Sequence, residues 1–443
     1  MIEKEDRRYA ELALESALKE GATDARVTLS KSQTDIVSTL DGEIDSVSEC
    51  LDRSISISVF AFGRFGTFST DKLEEDAVKA FVKRAVQAVS GLAPDPFRRL
   101  PERAATERNA VSGRELGLYD EDYPDSTPER RRQKALEASI TPRKGEGWEL
   151  ISEEGEYCET LEDELILDSQ GLECRHTETS FEYSVEMTVL GADGGRYTGF
   201  WWEAASDRKS LDTAACGETA LRRAVAAMNP QNAGSGKYTM VVENDCASKL
   251  LSPILHALSG YAIQQSDSFL VGSLGRQMFS EALTIDERGR ESGPGARLFD
   301  SEGVATPSDP IIEGGVVRKY FINTYMSGKM GMSPTYEGAM RPALRPWPEK
   351  GLDRDAIIAA CGNGILVTGF NGGNHTASTG NFSYGVEGFR IKDGRIAGPI
   401  DGMLITGNFL TLWKNLIYVG SDPRECLAKL VPTLAFKDVD FAG

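Results

Sequence analysis

The chain has 443 residues, too many for one ordinary core, so two or three domains are the natural count. Its 40% hydrophobic and 26% charged content is that of a soluble globular protein, and its formal net charge of −19 disfavours a nucleic-acid surface, which needs basic patches to replace the counterions around phosphates. The N-terminal stretch MIEKEDRRYAELA has no apolar segment and no long apolar run follows, so neither secretion nor membrane spanning finds support and a cytoplasmic location is expected. The seven cysteines are widely spaced, without a CxxC pair, and reduced, mostly buried thiols are expected.

In chain order, Glu5 to Glu20 reads as a helix, with Tyr9, Leu12, Ala13 and Ala17 at helical spacing and Gly21 placed to end it. Alternating strands follow, DARVTLSKS and then TDIVSTLDGEIDSVSE, with a hairpin turn at Asp41-Gly42. In SISISVFAFGRFGTFST, Ile55, Ile57, Val59 and Ala61 share one face, and Gly63 and Gly66 turn the chain back. A second helix spans Asp71 to Val89 and stops at Gly91. Residues 1–100 thus form a small α/β unit.

The stretch from Ala93 to Pro124 is proline-bearing and charged, as a segment crossing a surface would be. Thr127-Pro128-Glu129 opens a helix that ends before Pro142, and its run from Arg130 to Lys134 is expected to be a solvated face. Beyond Trp148, β-rich runs broken by Ser-Gln-Gly and Asp-Gly-Gly turns predict an antiparallel meander. Its acidic residues Glu153, Glu154, Glu156, Glu159, Glu162, Asp163 and Glu164 predict a solvated strand face rather than a metal site. Trp201 and Trp202 are adjacent on a strand, so one core and one surface tryptophan is expected. A helix over Leu211 to Met228 closes this middle unit, residues 101–235, and NPQNAGSG serves as its linker.

Residues 236–443 open with the strand KYTMVVE and a helix capped by Asn244, ASKLLSPILHALSGYA, which Pro253 is able to kink. Short β-runs and Gly/Asp turns then alternate to the end, with a hairpin at Asp393-Gly394 and a helix near Phe409 to Leu416, giving a mainly antiparallel β domain. The whole is an α+β chain: an N-terminal α/β unit, a β-meander middle domain and a β-rich C-terminal domain with a few helices.

The richest local signal is Cys361 to Gly388, CGNGILVTGFNGGNHTASTGNFSYGVEG, in which glycines interrupt β-forming residues, the mark of strands approached closely by another backbone. It carries neither a P-loop nor GxGxxG. A bulged sheet with only a packing role and a groove for an extended peptide or partner chain are the two readings. The three histidines, His176, His256 and His375, include no pair on one helix with a glutamate to activate water, so no zinc-hydrolase motif is present. His256 on its helix suits a core or interface residue, and His375 lies in the glycine-rich turn. No GxSxG elbow occurs.

The succession KYTMVVENDCASKLLSPILHALSG, QQSDSFLVGSLGRQMFSEALTIDE, RLFDSEGVATPSDPIIEGGVVRKYFINTY, STGNFSYGVEGFRIKDGRIAGPI, LITGNFLTLWKNLIYVGSD and VDFAG resembles the TldD/PmbA family, in its PmbA (TldE) branch, over nearly the whole chain. In the TldD branch a helix of the third domain carries HExxxH, with a late cysteine as a further zinc ligand. Carried over, His256 falls on the first histidine, Ala257 replaces the glutamate, Tyr261 stands at the second histidine, and Cys426 lies near the late cysteine. The resemblance therefore implies a non-catalytic subunit binding no cofactor itself, paired with a TldD-like chain that supplies zinc, the heterodimer acting on unfolded or extended peptides. It makes Asn371, Gly372, Gly373, Asn374, His375 and Asn381 the candidate peptide-binding residues, pairing with a threaded strand. An identical partner could fill the same dimer interface. The alternatives are a regulator of DNA gyrase or of a toxin–antitoxin system acting through protein contacts, and a hydrolase using other residues.

Overall fold

The computed structural model describes residues 1–137 and 143–443. Helix α1 (Lys4–Lys19) leads into a β1 (Asp24–Leu40), β2 (Glu43–Ala61), β3 (Arg64–Thr70) meander and helix α2 (Glu75–Val89). The β1–β2 turn is the expected one, with Asp41 at φ 51° and Gly42 at φ 83°, the left-handed pair that matches strand twist. At the next turn the pair is Phe62-Gly63, while Gly66 lies inside β3 opposite Val59. A Cβ there would press on the Phe68 ring at 2.9 Å, so Gly66 serves close packing rather than turning.

Helix α3 (Pro128–Glu137) begins at the expected proline, and its expected end before Pro142 lies outside the described residues. Strands β4 (Lys144–Gly145), β5 (Trp148–Asp168), β6 (Glu173–Gly191) and β7 (Arg196–Ala205) form the meander, and α4 (Thr213–Ala226) follows, capped by the Asp212 side chain. These strands do not make a separate sheet. β1 pairs with β5 from Arg26↔Asp168 to Leu40↔Glu154, giving one seven-stranded sheet in the order β3-β2-β1-β5-β6-β7, with β4 on β5.

One face of this sheet carries the helices. Val27, Leu29, Ile55 and Ile57 pack there with α1 and α2, and Tyr157, Phe181, Tyr183 and Val185 with α4. The strand period of two puts alternate acidic residues of β5 on that same face, so the expectation of a solvated acidic strand is met only in part. Glu154, Glu156 and Glu162 are exposed, whereas Glu153, Glu159 and Asp163 are only 2%, 1% and 1% exposed. Buried carboxylates need partners, and each has an arginine. Glu159 receives Arg208 at 3.2 Å and the Tyr157 hydroxyl at 2.8 Å, Asp163 receives Arg175 at 2.6 Å and the Ile2 backbone N–H at 2.7 Å, and Glu153 receives Arg143 at 3.2 Å. Arg131 is likewise buried, 3.1 Å from Asp35, so the basic run of α3 is not a wholly solvated face.

The remaining chain runs through β8 (Gly236–Val242), α5 (Ser248–Ala257), α6 (Gly260–Gln264), β9 (Ile285–Glu287), β10 (Pro310–Glu313), β11 (Val316–Val317), α7 (Thr324–Met330), β12 (Pro342–Leu344) and α8 (Arg354–Cys361). It ends with β13 (Gly364–His375), β14 (Asn381–Lys392), β15 (Arg395–Asn408), α9 (Phe409–Lys414), β16 (Leu416–Val419) and β17 (Leu434–Ala442). Strands β9–β12 form a small sheet, and the others form a sheet in the order β15-β14-β13-β8-β17-β16. β15 also pairs with β17 at Leu404↔Ala442 to Thr406↔Asp440, which closes five strands into a barrel. Its only parallel pair joins β13 to β8. This is the expected α+β architecture with a β-rich C-terminal domain. No described helix is long and apolar enough to cross a membrane.

Three local expectations change. Asn244 does not cap α5, which begins at Ser248; its side chain donates to the Asp422 carbonyl at 2.5 Å. The tryptophans differ less in burial than expected: both are half-buried, Trp201 packed against the core under α4 and Trp202 on the opposite face, with the Arg424 guanidinium 4.1 and 5.2 Å from their ring centres. All seven cysteines are free, but only Cys174 and Cys216 are buried, Cys50 is exposed and the rest are intermediate.

Removing one member of a buried ion pair strands the other charge. Arg208→Met is expected to destabilise the large sheet by about 3 kcal/mol, seen as a lower urea midpoint, and adding Glu159→Gln is expected to recover part of that loss.

Candidate functional site

Helix α5 is apolar on most sides, with Leu250, Leu251, Ile254 and Leu255 buried. It ends because the backbone leaves helical geometry at Ser259 (φ −60°, ψ 129°) to meet Phe321. There the Gly260 N–H donates to the Phe321 carbonyl at 2.6 Å, and the Phe321 N–H donates to Leu258 at 2.9 Å. A Cβ on Gly260 would sit 2.7 Å from that carbonyl oxygen, so glycine is required at the break. In one continuous helix, positions five apart point about 140° away from each other. The break instead puts His256 near the end of α5 and Tyr261 on α6.

His256 is exposed, not core, and Tyr261 is 62% exposed. Ala257 between them is 2% exposed and offers no donor atom. Cys426 is half-buried elsewhere, against Glu203 and Arg424, and burial pushes its thiol up. Among the described residues, no three His, Cys, Asp or Glu side chains stand where they could hold a metal ion. A zinc ion thus does not fit the donors of His256, Ala257 and Tyr261, and no chemical step through zinc can be assigned to these residues.

What faces α5 is the β13–β14 hairpin. The His375 Nδ1 lies 3.2 Å from the Tyr384 hydroxyl, and its ring meets Phe409 edge-on at 5.7 Å. Lys249 sits two turns before His256 on α5, its Nζ 5.3 Å from the Tyr384 ring centre. Desolvation holds the His375 pKa below the ordinary imidazole value, and the nearby charges of His256 and Lys249 lower it further. His256 and His375, predicted as members of different sites, are near enough for the charge of one to act on the other. Phe382 stacks on Tyr384 at 5.5 Å and contacts Phe409 at 4.8 Å, giving the hairpin an aromatic floor.

The glycines of the hairpin serve two ends. A Cβ on Gly373 would overlap the Ser383 carbonyl oxygen, one on Gly385 would overlap Asn371, and one on Gly388 would overlap the Leu366 carbonyl oxygen. At these positions the close backbone is the hairpin's own. Gly372 faces open space, and Gly369 meets only Glu387 at 3.6 Å. On its other side β13 pairs with β8 only over Ile365–Val367. Beyond Val367, and among the described residues, that edge has no strand partner. Asn371, Gly372, Gly373, Asn374 and His375 lie along it, all exposed, with the Asn371 side chain donating to Glu387 at 2.8 Å. Asn381 is exposed but sits on β14 toward β15, where Asn408 donates to its side chain at 2.9 Å. It is therefore not on the free edge.

Lys249, Tyr384, Phe382 and Phe409 were not singled out from sequence. Two signals pointed to the first three: the seven-residue spacing of Lys249 and His256, which repeats a helix face, and the alternation of Phe382 and Tyr384, which shares a strand face.

Residues 235–443 match the PmbA/TldA metallopeptidase C-terminal domain, and residues 122–228 match the central domain of the same enzymes. The chain is 34% identical to a candidate modulator of DNA gyrase from Bacteroides thetaiotaomicron VPI-5482, with a TM-score of 0.94 and 100% of both chains covered. This protein belongs to the PmbA/TldD family. The metalloprotease PmbA of Escherichia coli O157:H7 is 28% identical over 97% of this chain and 96% of its own. TldE from Thermococcus kodakarensis, at 20% identity and a TM-score of 0.84 over 98% of this chain and 100% of its own, shares the PmbA/TldD fold.

With three histidines in the chain, imidazole resonances can be assigned by substitution. His375 is expected to titrate below the ordinary imidazole value of about 6.5, and Lys249→Met to move it back up. The unfolded chain takes up this proton first as pH falls. His375's contribution to stability is therefore full above the ordinary value and is lost progressively as pH falls toward the depressed folded value.

Proposed function

We propose that this chain is the non-catalytic, PmbA/TldE-like subunit of a cytoplasmic heterodimeric zinc metalloprotease. A TldD-like partner supplies the metal site, and this chain helps hold extended or unfolded peptides. The observation that carries the reading is the buried Ala257 flanked by exposed His256 and Tyr261: the site helix is in place, but without a carboxylate to activate water or a second imidazole to hold zinc. The open β13 edge beside α5 supports the second half. A peptide laid along Thr368 to His375 would gain main-chain hydrogen bonds without sequence preference, by strand addition. Gly369 and Gly372 leave room for it, and His256, His375 and Lys249 flank it.

Likeness to a candidate modulator of DNA gyrase favours a second reading, regulation of gyrase. With a net charge of −19 such regulation would work through protein contact rather than DNA binding.

The deciding experiment is cleavage of an unstructured peptide by this chain alone, by an HExxxH-bearing homologue from the same genome alone, and by the two mixed. Cleavage in the mixture well above that of either chain alone is expected. Turnover by this chain alone would overturn the reading, and no gain on mixing would put regulation first.

A further inference from the structure

The seven-stranded sheet has helices on one face only; the other face is covered at one end, where Ile166 and Cys174 pack against Leu298 and Phe299, and is open and acidic farther along. Across β5, β6 and β7 it presents three successive rows: Cys158, Glu182 and Ala204; Glu156, Ser184 and Trp202; Glu154, Glu186 and Phe200. The small Ser184 at the centre leaves a depression of about 270 Å³ walled by Glu156, Cys158, Glu182, Phe200 and Trp202. Phe200 is 48% exposed, and Glu156 and Glu182 are exposed as well.

The charges of this face are unbalanced. Glu154 stands directly opposite Glu186, a like-charge cross-strand pair that weakens a sheet, and Glu162 stands opposite Glu178, whose carboxylate lies 3.2 Å from His176 Nε2. Among the described residues Glu156 and Glu182 form no ion pair, and the five residues outside the description carry no charge by sequence. Arg424, the nearby cation, is held 3.1 Å from Glu203 and donates to the Trp202 carbonyl. It reaches neither glutamate, of which Glu182 accepts from the Ser180 hydroxyl at 2.9 Å, and it lies 5.2 Å from the Trp202 ring centre, a cation beside that indole.

A polar cavity combining carboxylates with aromatic walls is chemistry for an ammonium or guanidinium group on an apolar stem. We propose that this face binds lysine or arginine side chains of an extended polypeptide, seating one in the depression between Glu156, Glu182 and Trp202. The proposal rests on the peptide-holding reading above and gives it a substrate class, basic unfolded segments. The β13 edge is blind to side chains, and the sheet face adds selection by charge.

The test measures fluorescence anisotropy of labelled, unstructured decapeptides bound to the full chain at low salt, with three lysines or three norleucines in an otherwise neutral sequence. The lysine peptide is expected to bind about fivefold tighter. Glu156→Gln with Glu182→Gln is expected to abolish that preference while leaving the norleucine peptide unchanged. Glu20→Gln with Glu218→Gln, an equal loss of charge on other exposed positions, is expected to keep it. Equal binding of the two peptides, or a preference that survives Glu156→Gln/Glu182→Gln, overturns the proposal. A change of oligomeric state in that variant without any lysine preference assigns the face to a second copy and also overturns it. Cleavage by the mixed subunits is read separately. Gain on mixing without lysine preference removes this inference alone, and lysine preference without gain removes the protease reading alone.

Discussion

The pairing of β1 with β5 is the constraint on which the first half of the molecule depends. It joins Arg26 to Asp168 and Leu40 to Glu154 across more than a hundred residues of intervening chain. Through it two hairpin systems become one sheet with a single helix-covered face. Once the register is set, the two-residue period of β5 decides every side chain at once. Glu153, Glu159 and Asp163 go under the helices and must find arginines, and Glu154, Glu156 and Glu162 go to the opposite face. A shift of one residue would exchange the two sets. The arginine pairs on the covered side therefore act as register marks as well as contacts, since each fits only one alignment of the sheet.

The C-terminal domain separates scaffold from site differently. Five strands close on each other in the barrel, and among the described residues β13 runs on beyond β8 with no strand partner on that side. There α5, with Lys249 and His256, faces the hairpin and its aromatic floor of Phe382, Tyr384 and Phe409. Lys249 puts a positive charge, and His256 and His375 two imidazoles, beside a free strand edge in a strongly acidic chain.

The sequence made the local features legible. Asp41-Gly42 and Asp393-Gly394 announce their turns because left-handed backbone selects those residues, and both asparagine-or-aspartate-glycine pairs adopt it. Helices α1 and α2 follow from the spacing of their apolar residues. What depended on distant partners was not legible. The acidic run of β5 looks uniformly solvated until Arg143, Arg175 and Arg208, from three separate places in the chain, reach its alternate residues. The break in α5 comes from Phe321, sixty residues on, and the glycines of the hairpin signal close backbone approach without saying whose backbone. Most of that approach is internal, and the part left open follows only from where β8 ends. Of the candidate site residues, the run Asn371 to His375 shares the free edge and His256 stands near enough to act on His375, whereas Asn381 and Cys426 have partners elsewhere.

Closure of the barrel also sets an order of events during synthesis. β17 pairs with both β8 and β15, so the strand that seals the barrel is the last of its strands to leave the ribosome. Until it arrives, β8 and β15 each hold an unpaired edge while the large sheet, finished far earlier in the chain, is free to fold. The nascent protein thus passes through a stage with a completed first half and an open β-edge, the kind of edge most exposed to wrong pairing. Chaperone dependence in this chain should therefore concentrate on its final strand rather than on its larger sheet.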